Sequence, residues 1–571
     1  MPHGAHYFSS IAGSIGNGFN GARIGLAALA LSAAWSLPGL AFCSETLRTV
    51  ALSGQPVPQL GAGVTFQSFY DPSLGIDRGW TAFSAVVQGA GINHDNDTVI
   101  LSEAGGAGLR MIAHEGDIPM ASRPGFKYAD LRYARTFAVA SGATTLQPRV
   151  VAGSSDFRTL VGRILPNGDF ELIAFEGETA PKGDPSLVVG SIHGMNAPNR
   201  LGYVTFPANV TGNGIAPNSN GNWIEGPNTL NLPLYSGSAT PLGPGITALG
   251  TGGVFTNDSS AALLGTLLAG AGVNVDNQSV IWKFNENGLS LLARGGDPAP
   301  GLSGQFFKNF GGKYINNAGN VIFEASFGNA GGGIWTDRGG SGLELVVRSG
   351  EQAPGAPAGV VFGQTNFLRF NDAGQFAFLG ALEGPGVTEA NGAGVYSDAR
   401  GNGLEQIARA GDPAPGASPG VVFAGLETIH WLRLNKHGQV AFFSELAGPG
   451  VDASNKAGIW AQDVNGTLQL IVRTGDLLDV SDDASNPDLK TVAFLQPFQS
   501  SEWSLNDNGE IGFFARFTDG SEGLFVSSAV AVPESASAIA LAVGLAATLV
   551  GRRPASRSKR NLSLNGRSSC K

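Results

Sequence analysis

The chain has 571 residues, of which 85 are glycine and 31 proline, about a fifth of the whole. That is short of the roughly 25–30% at which these two residues mark a disordered chain, and the 42% apolar content with 33 phenylalanines supplies a large core. Only 14% of residues are charged and the formal net charge is −10, which excludes a nucleic-acid-binding protein with its clustered Lys and Arg.

The first segment reads as a leader. His3 and His6 precede a lone Arg23, and Ile24 to Leu40 is an apolar run rich in Ala and Leu that ends in small residues around Ala41 and Cys43. It lacks acids and is followed at once by Ser44 and Glu45, which fits a secretory signal over residues 1–43 better than a buried first helix. Phe42 is bulkier than the residue that precedes a lipidated cysteine. Cys43 and Cys570 both lie in the end segments, so thiolate metal sites, thiol nucleophiles and Fe–S clusters are excluded from the body.

Behind the leader the chain repeats. Arg-x-Gly-Asp-Pro-Ala-Pro-Gly at Arg294 to Gly301 recurs at Arg409 to Gly416, and its glycine falls in register at Gly54, Gly116, Gly177, Gly237, Gly296, Gly350, Gly411 and Gly475, in steps of 54 to 64 residues. Between these anchors lies Asn-x-x-Gly-x-x-apolar-Phe, beginning at Asn316, Asn371, Asn435 and Asn506, with degenerate copies near Asn196, Asn257 and Gly79. Asn followed by Gly is turn chemistry and the apolar alternation after it is a strand, so the motif predicts a hairpin. A third strand ends in an aromatic (Trp282, Trp335, Tyr396, Trp460, Phe525), and a fourth, such as Leu343 to Arg348, is apolar on both faces.

Units of about 60 residues with four strands buried on both sides are what a propeller blade requires. The body opens at Thr46 to Ser53 with only a fourth strand, and its last unit stops at Ser527 with that strand missing. The expected fold is therefore all-β: a single closed β-propeller of eight blades over residues 44–528, joined by the N-terminal strand and flanked by signal and anchor helices. Seven blades result if the irregular unit Ser238 to Gly296 is not a blade. The Asn-x-x-Gly-x-x-Ala-Phe repeats resemble the choice-of-anchor tandem repeat NxxGxxAF-containing proteins of bacteria, over roughly Thr46 to Ser527.

Two repeated features could carry chemistry. The residue after the anchor glycine is acidic at Asp117, Glu178, Asp297, Glu351, Asp412 and Asp476, which places a ring of carboxylates on one face; ion pairs with Arg294, Arg348, Arg409 and Arg473 and turn hydrogen bonds explain them equally. The loop Gly89 to Asp97 offers hard oxygens at Asn93, Asp95 and Asp97, and its copy offers Asn274 and Asp276. That spacing suits Ca²⁺, although Asn and Asp also populate any turn. Ser418 matches a hydrolase elbow by sequence but sits where a neighbouring repeat has Pro357. His94, His114, His193, His430 and His437 show no ligand spacing, and no phosphate or dinucleotide loop occurs in a βα setting.

The tail, residues 529–571, carries Val532, Pro533 and Glu534, an apolar stretch from Ser535 to Gly551, and then Arg552 and Arg553. This arrangement resembles the PEP-CTERM sorting signal, with Ser535 where that family has proline. The resemblance implies processing by an exosortase-type enzyme, transient anchoring in the inner membrane and delivery to the cell surface or exopolysaccharide matrix of a Gram-negative bacterium. Setting aside Arg23 and the seven basic residues behind Gly551 leaves 27 basic against 45 acidic residues, so the body is acidic. The expected function is a monomeric, non-enzymatic binding or structural module for exopolysaccharide or a surface protein, with exposed Trp and Tyr as first contacts. No nucleic-acid partner is expected, nor any cofactor apart from calcium. The alternative is a polysaccharide hydrolase or lyase, which requires converging carboxylates, about 5 to 9.5 Å apart in glycoside hydrolysis. A plain envelope spacer is the third reading.

Overall fold

The computed structural model describes residues 46–532 apart from 213, 257–261, 329–330, 427–430, 482, 484 and 499–503. The leader and the sorting signal from Pro533 onward, with Glu534, Arg552 and Arg553, lie outside the described residues, as does His430. Among the described residues no helix is long and apolar enough to cross a membrane.

Eight antiparallel sheets follow one another in chain order. Blade 1 runs from its inner strand Thr65–Leu74 through Thr81–Gln88 and Thr98–Ser102 to its outer strand Arg110–His114. Thr81–Gln88 is buried at seven of eight positions, which only a strand sandwiched between two neighbouring sheets can be. The irregular unit is a true blade, with strands Ile246–Thr256, Ala262–Gly270, Ser279–Asn285 and Gly288–Arg294, so the count is eight. Blade 2 departs most from the pattern: its second strand breaks at Pro148 into Thr144–Gln147 and Arg149–Ala152, because proline offers no ladder N–H.

Blade 8 is built from both ends of the body. Leu489–Pro497, Ile511–Phe517 and Glu522–Ser527 are completed by Leu47–Leu52, which pairs antiparallel with Glu522–Ser527 from Leu47 opposite Ser527 to Leu52 opposite Gly523. Its strands in turn touch the inner strand of blade 1, and the ring is closed.

Each blade-to-blade interface holds its own apolar core, as with Phe66 and Phe83 of blade 1 against Phe498 and Leu524 of blade 8. The repeated aromatics form one unit. Trp335 packs edge-on against Phe307 with ring centroids 5.0 Å apart and stacks on Phe323 at 6.3 Å; Tyr396 does the same with Phe362 and Phe378, and Trp460 with Phe423 and Phe442. The phenylalanine of the Asn-x-x-Gly motif is thus the stacking partner of the third-strand aromatic. In blades 5 to 8 a glycine stands two residues before that aromatic: a Cβ on Gly458 would lie 2.6 Å from the Trp460 ring. Trp335 and Trp460 donate their indole N–H to Pro300 and Pro415 at 3.0 Å, which ties each blade to the Pro-Ala-Pro-Gly turn.

Candidate functional site

Inner strands line the axis of a propeller, and two polar assemblies are built on them. At one end stand the hairpins between first and second strands. Asn316 donates its side-chain amide to the carbonyl of Asn371 at 3.3 Å, Asn371 to Asn435 at 2.9 Å, Asn435 to Asn506 at 3.0 Å, and Asn506 to Gly75 of blade 1 at 3.3 Å. Each side-chain oxygen closes its own hairpin, as Asn371 does by accepting the N–H of Gln375 at 2.9 Å. The motif asparagines therefore do more than turn the chain: they link blades 5, 6, 7, 8 and 1.

The same hairpins bring charge together, at Arg200, Asp372, Lys436 and Asp507 directly after an asparagine and at Asp77 of blade 1. Arg200 of blade 3 reaches Asp77 of blade 1 at 2.9 Å and Asp372 of blade 6 at 3.3 Å, and it pairs with Asp507 of blade 8. Lys436 of blade 7 adds its backbone N–H to Asp507 at 2.8 Å. Side chains from blades on opposite sides of the ring thus meet in one knot, and Asp507 is 4% exposed. Burial raises the Asp507 carboxyl above its ordinary value, and Arg200 pulls it back. This assembly is fully engaged with itself and acts as a lock.

The second assembly is a cleft of about 450 Å³ between the inner strands of blades 5 and 6, at their opposite ends. Phe307–Ile315 contributes Lys308, Asn309 and Phe310, Val321–Phe327 contributes Glu324, Ser326 and Phe327, and Val361–Phe370 contributes Gln364 and Thr365. Gly331, Gly332 and Gly333 line the wall. Glu324 is the sole carboxylate among the lining residues. Its Oε2 accepts the N–H of Gly312 at 3.1 Å, while its Oε1 is buried with no hydrogen-bond partner. Burial pushes this carboxyl up to about 7, outweighing the bonds from Gly312 and Thr365 and the attraction of Arg369. Arg369 directs one guanidinium nitrogen to the Tyr314 hydroxyl at 2.6 Å. The cleft therefore holds a carboxyl that can exchange a proton near neutrality, a lysine, amides and hydroxyls, and two aromatic rings.

The sequence-derived candidates lie elsewhere. Asp117, Glu178, Asp297, Glu351, Asp412 and Asp476 stand one per blade connection and do not converge. Ion pairing with the preceding arginine is not what holds them. Arg294 and Arg409 instead donate Nε to the carbonyls of Asn277 and Asn391 at 2.9 and 3.1 Å, and Arg473 does so to Asn455, latching the loop between second and third strands. Glu351 and Asp476 accept the backbone N–H of Arg348 and Arg473 at 3.2 and 2.8 Å, and Glu178 pairs with Arg123. Burial pushes Asp476 up to about 6 and also raises Asp297 and Asp412.

Asn93, Asp95 and Asp97 share one loop in which the Asn93 side-chain oxygen accepts the N–H of Asp95 at 2.9 Å and Asn96 closes the turn onto Gly91 at 3.1 Å. Asn274, Asp276 and Asn277 repeat the geometry bond for bond. Asp97 Oδ1 is buried without a partner, and among the described residues no three His, Cys, Asp or Glu side chains gather to hold a metal. Among the described residues Trp223, Trp282, Trp335, Trp431 and Trp460 are fully buried in blade interfaces, Trp80 is partly exposed, and Tyr133 is the most exposed large ring.

Sequence reasoning missed Glu324, although a signal existed. It follows the motif phenylalanine, where the other repeats have Leu379, Phe443 and Phe514. A carboxylate in an apolar column marks a departure from the repeat, and a departure is where a site is found.

These features define an eight-bladed β-propeller with one end of its axis locked and a polar cleft at the other. The chain belongs to the family of unknown function DUF7453, whose model matches residues 35–157 and 144–539. No curated protein matches it. Among solved structures it is similar to the Dos1 propeller, at 8% identity over 85% of this chain and 96% of that one with a TM-score of 0.37. It is similar as well to an oligogalacturonate lyase in complex with manganese (10% identity, 70% and 96% covered, TM-score 0.31) and to the polysaccharide lyase Uly1 (11%, 69% and 89%, 0.29).

Proposed function

We propose that this protein is an exported, surface- or matrix-associated propeller that binds polysaccharide without cleaving it. The observation that carries the reading is the cleft between blades 5 and 6. Its size falls within the range of small-molecule sites, and it combines hydroxyl and amide groups with the Phe310 and Phe327 rings, the mixture that suits a sugar's polar edge and C–H face. A single carboxylate suits binding better than hydrolysis, which in most glycosidases takes two carboxyl groups about 5 to 9.5 Å apart. The address rests on the leader and on the tail from Val532 through Arg553, and implies an exosortase-type partner. The loops at Asn93 and Asn274 are proposed as structural, with calcium as their alternative occupant.

Two measurements test the reading. Titration calorimetry of the full chain with oligosaccharides should give saturable heat, and Gly332→Leu should abolish it: a Cβ at Gly332 meets only the Ala325 carbonyl, at 3.9 Å, so the new side chain enters the cleft without disturbing the blade. Fractionation of cells carrying the chain with and without Val532 to Lys571 should place only the complete form at the surface.

The second reading is a lyase. It is favoured by the readiness of Glu324 to take or give a proton near neutrality. Its signature is accumulation of unsaturated sugar ends when the protein is incubated with polysaccharide.

A further inference from the structure

We infer that the cleft between blades 5 and 6 selects an acidic sugar, gripping the carboxylate of a hexuronate unit between the Lys308 ammonium and the Glu324 carboxyl. The inference rests on the glycan-binding reading and names the class of glycan.

Three observations carry it. First, Lys308 lines the cleft, and among the described residues it forms no ion pair. Lys283 and Lys182 at other blade interfaces are paired, with Asp337 at 2.8 Å and Glu171 at 2.7 Å, whereas Lys313, among the described residues, lies unpaired against Gly265 at the interface of blades 4 and 5, away from this cleft. A cation left over in an acidic body is available to an anion from outside. Second, Glu324 Oε1 is buried without a partner, and a buried polar atom so placed costs about 1–3 kcal/mol until something bonds to it. Third, the charged groups that face Glu324 are few. Arg369 from the inner strand of blade 6 is the one charge that acts on its carboxyl, Lys308 from its own blade's inner strand lines the same cleft, and the third strand offers only Gly331 to Gly333. No second carboxylate lines the cleft to repel an anionic guest.

The chemistry follows from the protonation state. With its proton on, Glu324 donates an O–H to a carboxylate oxygen of the sugar while Lys308 supplies the counter-charge, and charge-assisted bonds of this kind are about twice as strong as neutral ones. With its proton off, Glu324 repels the same carboxylate. Binding of an acidic sugar must therefore weaken as pH rises through neutrality, whereas a neutral sugar feels no such charge repulsion.

The test is calorimetric titration of the full chain with trigalacturonate and with α-1,4-galactotriose, two trimers of the same linkage and ring configuration that differ in the carboxylate, at pH 5.5, 7 and 8.5. Trigalacturonate is expected to bind at least about tenfold more tightly at pH 5.5, as a hydrogen-bonded charge implies. That affinity should fall by roughly 30-fold by pH 8.5 as a carboxyl titrating near 7 empties of protons. Lys308→Met should remove the preference, and Glu324→Gln, which cannot ionise, should keep binding but flatten the pH dependence. Equal affinity for the two trimers, a pH-independent trigalacturonate affinity, or an unchanged Lys308→Met overturns the inference while leaving glycan binding intact. Failure of both trimers to bind overturns the glycan reading with it.

Discussion

The side-chain amide of Asn371 donates to the backbone carbonyl of Asn435, one blade further round the ring, at 2.9 Å, while its oxygen holds its own hairpin closed. A motif that looks local is therefore a connection between repeats. It explains why asparagine stands there in blades 5 to 8: aspartate would close the hairpin and have no N–H for the neighbour.

Asn435→Asp should thus be destabilising although it is nearly isosteric. Asn435 is buried and donates to both Asn506 and Gln439, so the substitution leaves two acceptors unpaired and buries a charge beside them. The expected loss is about 2–4 kcal/mol by urea unfolding, with the blades still melting together.

Arg200 should behave as a keystone. Arg200→Met leaves Asp507, 4% exposed, with only the more distant Lys436 ammonium at 3.8 Å. Breaking a buried pair from one side costs about 3–5 kcal/mol, far more than a surface ion pair. The deficit should shrink at acid pH, where Asp507, deprived of Arg200, takes a proton. An equal deficit at pH 4.5 and 7.5 would mean that Arg200 acts through packing alone.

Glu324 makes stability depend on pH. Because its folded value is raised from 4.5 to about 7, the stability it lends is complete below about pH 4.5 and is lost as pH climbs through 7. A shift of that size is worth on the order of 3 kcal/mol when complete. Glu324→Gln should therefore gain on the wild type between pH 5 and 8.5, and denaturant unfolding at those two values measures the difference.

Deleting Thr46 to Ser53 should open the ring. Blade 8 would expose the edge of Glu522–Ser527, and blade 1 would lose a neighbour. An uncovered edge strand is a template for pairing with another chain, so the truncated protein should self-associate, which sedimentation would show.

Much of this fold was legible in the repeat itself. The anchor spacing, the missing last strand and its replacement at the N-terminus yield eight blades and the closure, because each depends only on order along the chain. The partners of the repeated residues were not legible, since they lie a whole blade away. Arg294 looked like the mate of Asp297 three residues on, yet it bonds the carbonyl of Asn277, and the motif asparagines reach the next hairpin. The Arg200 knot joins blades 1, 3, 6 and 8, a geometry that exists only once the ring closes. Glu324 differs: it breaks the apolar column of Leu379, Phe443 and Phe514, a departure that is visible in the sequence alone.

Hydrogen–deuterium exchange of the full chain with and without trigalacturonate tests the central claim most directly, since it asks where a ligand sits. The account predicts protection confined to the backbone around Lys308 to Gly312, Glu324 to Gly328, Gly331 to Gly333 and Gln364 to Thr365, lost in Gly332→Leu. Protection centred on the loops at Asn93 and Asn274, or none anywhere, would contradict it.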